Sequence, residues 1–206
     1  MLRNEITGVV LAGGRGSRMG GVDKGLLRFH GVPMVAYALA ALESVAGTLL
    51  INANRHHEEY RRFGVPVIAD AAYEGPLAGL LSALRTAQTS YVLSVPCDSP
   101  LVTASLLTRL CSRLGETGAE VCAAHDGERL HPVFLLAERR LADHLQRYLA
   151  SGQRKLQSWL SQHRLTLADF ADHPELFANI NTPEDLTALE AAHPALFPPS
   201  PSLPLR

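Results

Sequence analysis

The sequence predicts an α/β protein built on a doubly wound, mostly parallel sheet, with an antiparallel edge or small subsheet in its second half. Three observations carry that expectation. Short apolar runs rich in β-branched residues (Thr7 to Ala12, Thr48 to Ile51, Val65 to Ala69, Tyr91 to Val95) alternate with segments whose leucines recur at helical spacing. Each run ends abruptly in glycine or polar residues, as strands do where a ligand edge begins. After Gly118 the alternation breaks, because Ala119 to Ala124 and Pro132 to Leu136 flank one polar turn, His125 to Arg129.

The first strand leads into the most informative stretch of the chain. Gly13, Gly14, Gly16, Gly20 and Gly21 let a backbone approach a ligand closely and present N–H donors, while Arg15, Arg18 and Lys24 add positive charge. A polyphosphate suits such a loop. Two familiar phosphate loops are excluded: Lys24 is followed by Gly25 and Leu26 rather than Ser or Thr, and Met19 stands where a dinucleotide fingerprint needs glycine. The segment from Leu26 to Phe29 reads as extended, ending at the turn His30 to Pro33.

Pro33 to Val45 then reads as a helix, with Pro33 tolerated in its first turn and Val35, Leu39 and Leu42 on one face. The strand Thr48 to Ile51 ends in Asn52-Ala53-Asn54-Arg55, which brings Asn52 toward the glycine loop. His56 to Phe63 is a short polar helix, and the strand Val65 to Ala69 ends at Asp70. Pro76 opens a helix carrying Leu77, Leu80, Leu81 and Leu84. Tyr91 to Val95 closes with Pro96-Cys97-Asp98-Ser99-Pro100, so Asp98 is a carboxylate on a stiff strand end, suited to a hard cation such as Mg²⁺. Thr103 is the better cap for the following leucine-rich helix. Leu141 to Leu149 and Leu156 to Leu160 read as helices, Trp159 as a core-edge residue, and His144 and His163 as surface. Phe177 to Asn181 reads as a short strand with Asn179 and Asn181 on one face, before a helix capped by Thr182 and opened by Pro183. The tail after Pro194 is proline-rich.

At 206 residues, 47% hydrophobic and a formal charge of −1, the chain fits one domain, residues 1 to 193, with a nucleotide-binding half to about 118 and a second-substrate half from 119. The charge balance argues against general nucleic-acid binding. No stretch approaches the ~20 apolar residues of a membrane span, and the N-terminal apolar run is too short for a signal peptide, so the expected location is the cytoplasm. Cys97, Cys111 and Cys122 share no metal-ligand spacing and read as reduced packing residues.

The motifs LAGGRGSRMGGVDKGLL, strand-end Asn52, Asp70, GPLAG, PCDSP, DGERLHP and NINTPED, in that order, resemble the bacterial molybdenum cofactor guanylyltransferases, within the wider Rossmann-like nucleotidyltransferase family. The resemblance covers about Ile6 to Leu189. It implies transfer of GMP from GTP to the terminal phosphate of Mo-molybdopterin, with release of pyrophosphate. It further implies GTP binding by Leu11, Ala12, Gly13, Gly14, Lys24, Asn52, Asp70 and Asp98, with Asp98 as Mg²⁺ ligand. Lys24 and Arg18 would neutralise the α-phosphate and departing pyrophosphate. On the molybdopterin side the candidates are Gly79, His131, Arg154, Lys155, Asn179 and Asn181. Asn181 stands near where many sugar nucleotidyltransferases carry a second metal-binding aspartate, which leaves the metal number open. Asn52 and Asp70 divide base and ribose between them in an order that the residues leave open. Transient contact with molybdoenzyme apoproteins and other cofactor-biosynthesis proteins is expected. A cytidylyltransferase of the same fold and a non-catalytic molybdopterin carrier are the competing readings.

Overall fold

The computed structural model describes residues 1–14, 22–70 and 72–194. Seven strands form one sheet in the order β5-β4-β1-β6-β8-β7-β9. Its centre is β1 (Ile6–Leu11), which pairs in parallel with β4 (Thr48–Asn52) on one side and β6 (Tyr91–Pro96) on the other. Adjacent residues of β1 point to opposite faces and both are buried: Val9 joins one apolar cluster and Val10 the other. Helices α1 (Met34–Glu43) and α4 (Ala104–Thr117) cover the Val10 face, and α3 (Pro76–Thr86), α5 (Ala142–Ala150) and α6 (Leu156–Leu160) the Val9 face. Helix α1 sits so close that a Cβ on Gly8 would lie 2.9 Å from the Leu42 side chain. A glycine is therefore needed in this strand for packing.

The second half departs from simple parallel winding in one strand. β8 (Leu130–Glu138) runs antiparallel to both neighbours, β6 and β7 (Val121–His125), while β9 (Leu165–Asp169) pairs in parallel with β7. The antiparallel element expected here thus lies inside the sheet. Its reversal has a consequence for function: β8 begins, rather than ends, at the edge where β1, β4 and β6 finish. Buried Ser94 fastens this junction, its hydroxyl donating to the Val133 carbonyl at 2.7 Å.

Several local expectations change. Leu26 to Phe29 is not one extended run: Lys24–Leu26 is a single 3-10 turn, followed by a small hairpin of β2 (Arg28–Phe29) and β3 (Val32–Pro33). Its turn residues His30 and Gly31 have φ of 46° and 78°. The third parallel strand shortens to β5 (Val67–Ile68), and α2 spans only His57–Arg61. No strand forms at Phe177 to Asn181; Pro174–Phe177 is a 3-10 turn and the chain beyond it leans on the PCDSP corner, with the Ile180 N–H donating to the Asp98 carbonyl at 2.9 Å. Thr182 caps α7 (Pro183–Ala192) as expected, in a reciprocal box with Asp185. His163 is buried, not surface: its side chain is 5% exposed and meets Trp159 edge to face, while the fully buried Trp159 indole donates to His144. Among the described residues no helix is long and apolar enough to cross a membrane.

Candidate active site

The C-terminal ends of β1, β4 and β6 are laced together past the sheet. The Ala12 N–H donates to the Asn52 carbonyl at 2.7 Å, and the Cys97 N–H to the Leu11 carbonyl at 3.2 Å. Above them opens a cleft of about 510 Å³, walled on one side by Leu11, Ala12, Gly13, Gly14 and Asn52 and on the other by Asp98, His131, Phe134, Asn179 and Asn181. Strand ends are where an open α/β sheet leaves backbone donors and side chains free of its own ladder.

On the first wall a side-chain network holds the strand ends. Asn52 Nδ2 donates to Asp70 Oδ1 at 2.9 Å, and Asn54 Nδ2 to Asp70 Oδ2 at 2.8 Å. Asn54 Oδ1 accepts from the Asp70 backbone N–H at 2.9 Å. A Cβ on Gly13 would lie 3.0 Å from Asn54 Nδ2 and 3.2 Å from Asn52 Oδ1, and one on Gly79, in the first turn of α3, 2.3 Å from Asn52 Oδ1. Two glycines thus leave the space that the Asn52 amide fills. Gly79 sits buried behind Asn52.

Across the cleft Lys24 is the charged centre. Its ammonium donates to Asp98 Oδ2 at 2.9 Å and to Asn181 Oδ1 at 2.6 Å, with both members of the ion pair about four-fifths buried (side chains 20% and 19% exposed). Lys24 is aimed by its neighbour: buried Asp23 caps the 3-10 turn by accepting from the Gly25 N–H at 3.1 Å and from Tyr60 Oη at 2.5 Å. Burial foremost, then Cys97 and the Asp23 carboxylate, push the Tyr60 hydroxyl far above its ordinary value, so it stays a donor. Asn179 accepts from the Ser99 hydroxyl and thereby fixes the 179–181 segment to the PCDSP corner. Cys97 lines the cleft, but burial raises its thiol strongly, which keeps it protonated and unreactive.

The start of β8 supplies the rest of that wall. His131 Nε2 lies 2.6 Å from Asp126 Oδ2, and its ring stacks on Phe177 with centroids 4.1 Å apart. Asp126 Oδ1 also accepts the Glu128 and Arg129 N–H groups, and the His131 hydrogen bond foremost holds its carboxyl well below the usual range. Arg154 and Lys155 stand apart from the cleft lining, both exposed; Arg154 lies over the Tyr73 ring at 5.3 Å. Arg18 falls outside the described residues.

Three residues that sequence reasoning passed over turn out to hold this arrangement together. Asn54 followed Asn52 at strand spacing, Asp23 preceded Lys24, and Asp126 opened the turn motif, so each had a positional signal. None carried a chemical one, since each acts on a neighbour rather than facing the cleft.

The MobA-like NTP transferase domain matches residues 8–167. A molybdenum cofactor guanylyltransferase of Ralstonia nicotianae is 46% identical over 197 residues, spanning 90% of this chain and 96% of that protein. One of Shewanella sediminis is 42% identical over 190 residues, spanning 91% and 97%. Among solved structures, molybdopterin-guanine dinucleotide biosynthesis protein A of Archaeoglobus fulgidus superposes with a TM-score of 0.78 at 22% identity, covering 92% of this chain and 100% of that one; this likeness speaks for the fold. With the domain matched over most of its length and relatives this similar over nine-tenths of it, the chain belongs to the family of MobA-like NTP transferases.

Proposed function

We propose that this protein transfers GMP from GTP to the terminal phosphate of Mo-molybdopterin, forming the guanine dinucleotide cofactor and pyrophosphate. The observation that carries the reading is Lys24 bonded to both Asp98 and Asn181 across the cleft from the strand-end network. In the reaction an acceptor phosphate oxygen attacks the α-phosphorus of GTP, the bond from that phosphorus to the β-bridging oxygen breaks, and pyrophosphate leaves. The nucleophile is already an anion, so no serine, cysteine or strong base is required. Positioning and charge neutralisation supply the rate.

In this reading the backbone of Leu11, Ala12, Gly13 and Gly14 binds the nucleotide, Asn52 and Asp70 hold guanine and ribose, and Lys24 with Arg18 neutralises the phosphates. A divalent cation fits beside Asp98. Two hard oxygen donors, the Asp98 carboxylate and the Asn181 amide oxygen, converge on one point that already holds the Lys24 ammonium. Mg²⁺ takes one or two protein carboxylates, its shell being completed by substrate phosphates and water, and Asp98 would be that carboxylate. Bound there, Mg²⁺ would offset triphosphate charge and orient it for in-line attack.

Molybdopterin is assigned to the other half of the cleft, with His131, Asn179 and Asn181 in its lining; of the other candidates, Gly79 lies behind Asn52 on the nucleotide wall, and Arg154 and Lys155 lie outside the lining. Residues 1–118 form the GTP half and 119–193 the acceptor half of a single domain. The reaction belongs in the cytoplasm, with the product passed to molybdoenzyme apoproteins in contact with other cofactor-biosynthesis proteins. The test is turnover of Asp98→Ala with GTP, Mg²⁺ and molybdopterin: loss of pyrophosphate release by about a thousandfold or more is expected. Unchanged release would overturn the assignment of Asp98.

A further inference from the structure

The geometry points to Asn54 as a positioning residue for base selection: through Asp70 it fixes which end of the Asn52 amide faces the cleft. The inference rests on the nucleotide reading above and adds a residue to it. An asparagine amide can present either a donor or an acceptor, and only its other hydrogen bonds decide which. Here Asn52 Nδ2 is committed to Asp70 Oδ1 at 2.9 Å, so Oδ1 is the end left over. Asn52 is 2% exposed and lines the cleft, and among the described residues no group donates to Oδ1, which lies between the Cβ positions that Gly13 and Gly79 do not fill. An acceptor at a ligand cleft with no donor among the described residues is open to a donor from the ligand.

Asp70 can orient Asn52 only if it is itself held, and it is held by Asn54 at two points. Asn54 Nδ2 donates to Asp70 Oδ2 at 2.8 Å, and Asn54 Oδ1 accepts the Asp70 N–H at 2.9 Å. The same Nδ2 lies 3.4 Å from the Gly13 carbonyl, which ties the clamp to the glycine loop. Among the described residues Asn54 bonds to Asp70 and Gly13, and it is absent from the cleft lining, so it acts through others. An acceptor at this wall favours a base that offers N–H donors on its Watson–Crick edge. Guanine offers two adjacent donors there, N1–H and an exocyclic amine, whereas adenine sets one donor, its exocyclic amine, beside an acceptor at N1. Without the clamp the Asn52 amide is free to turn over and meet adenine equally well.

The experiment measures GTP and ATP binding to full-length wild type, Asn54→Ala and Asn54→Asp by calorimetry with Mg²⁺ and no acceptor, together with the melting temperature of each. In Asn54→Ala the preference for GTP over ATP should fall by about tenfold, the equivalent of one hydrogen bond to a charged group. Asn54→Asp, which replaces the donor with a second carboxylate against Asp70, should lose at least as much preference. Asn54→Leu, of similar size but with no donor or acceptor, replaces either variant if it does not fold. An undiminished GTP:ATP ratio in a folded Asn54→Ala or Asn54→Leu variant would overturn the role of Asn54 while leaving the nucleotide reading intact. A wild type that binds both nucleotides equally would overturn that reading, and this inference with it.

Discussion

Lys24 is held where it is by groups that it would have to share with a substrate. Its hydrogen bonds to Asp98 and Asn181 neutralise a partly buried carboxylate, and an incoming triphosphate competes for the same ammonium. Lys24→Ala should therefore lower kcat/KM for GTP by about a hundredfold, since it removes charge stabilisation that grows in the transition state. Because the pair keeps some solvent contact, the melting temperature should move little, which separates the chemical role from a packing one. Gly79 predicts the opposite pairing of effects. A methyl group there collides with Asn52 Oδ1 at 2.3 Å, so Gly79→Ala should weaken GTP binding by about tenfold and cost about 1–3 kcal/mol of stability as well, measured by titration and denaturant unfolding. Asp98 and Asn52 were legible from residue type and position at strand ends, and Lys24 from its place after the glycine loop. Asn54, Asp23 and Asp126 were not, because a side chain that orients another carries no mark in the sequence of what it touches.

At the scale of elements, the reversal of β8 decides which residues face the cleft. A seventh parallel strand would have put Glu138, not His131, at the ligand edge. The turn that makes the reversal is held by Asp126, which accepts from two backbone N–H groups and pairs with His131. Its carboxyl is depressed in the folded protein, so the stability it contributes is complete above the ordinary aspartate pKa of about 3.9 and is lost as pH falls toward the lower folded value. Wild type should thus exceed Asp126→Asn in stability at pH 6, and the gap should narrow below about pH 4, as read by unfolding at a series of pH values. The turn was visible in the sequence as a polar run around Gly127, whose φ in the structure is 94°, but the strand it feeds could not be placed in the sheet, since pairing partners are set by long-range packing. The same reason hid β9: its inward residues are Thr166 and Ala168, while Leu167 is 41% exposed, so its alternation reads out of phase. The segment around Asn179 and Asn181 failed as a strand for a different cause. Its apolar residues Phe177 and Ile180 are spaced by three, bury in different clusters, and leave no ladder partner beyond the Asp98 carbonyl.

For the whole molecule, the alternating runs made the doubly wound sheet legible, because residues buried on both faces cannot alternate and so stand out as solid apolar stretches. All three cysteines belong to the apolar cluster on the Val10 face of the sheet. Burial lifts Cys111 to about 11 and Cys122 to about 12, and Cys97 upward as well. The native protein should accordingly react slowly with a thiol reagent at pH 8 and expose all three thiols on unfolding, which a mass shift per modified cysteine would record. What the fold assembles is a cleft where the ends of three parallel strands meet the start of one antiparallel strand. The claim that this cleft joins GMP to molybdopterin is met most directly by pyrophosphate release with Mg²⁺ and GTP or CTP, each with and without molybdopterin. Release with GTP that depends on molybdopterin, and far exceeds that with CTP, is the predicted result; equal or faster release with CTP would contradict it.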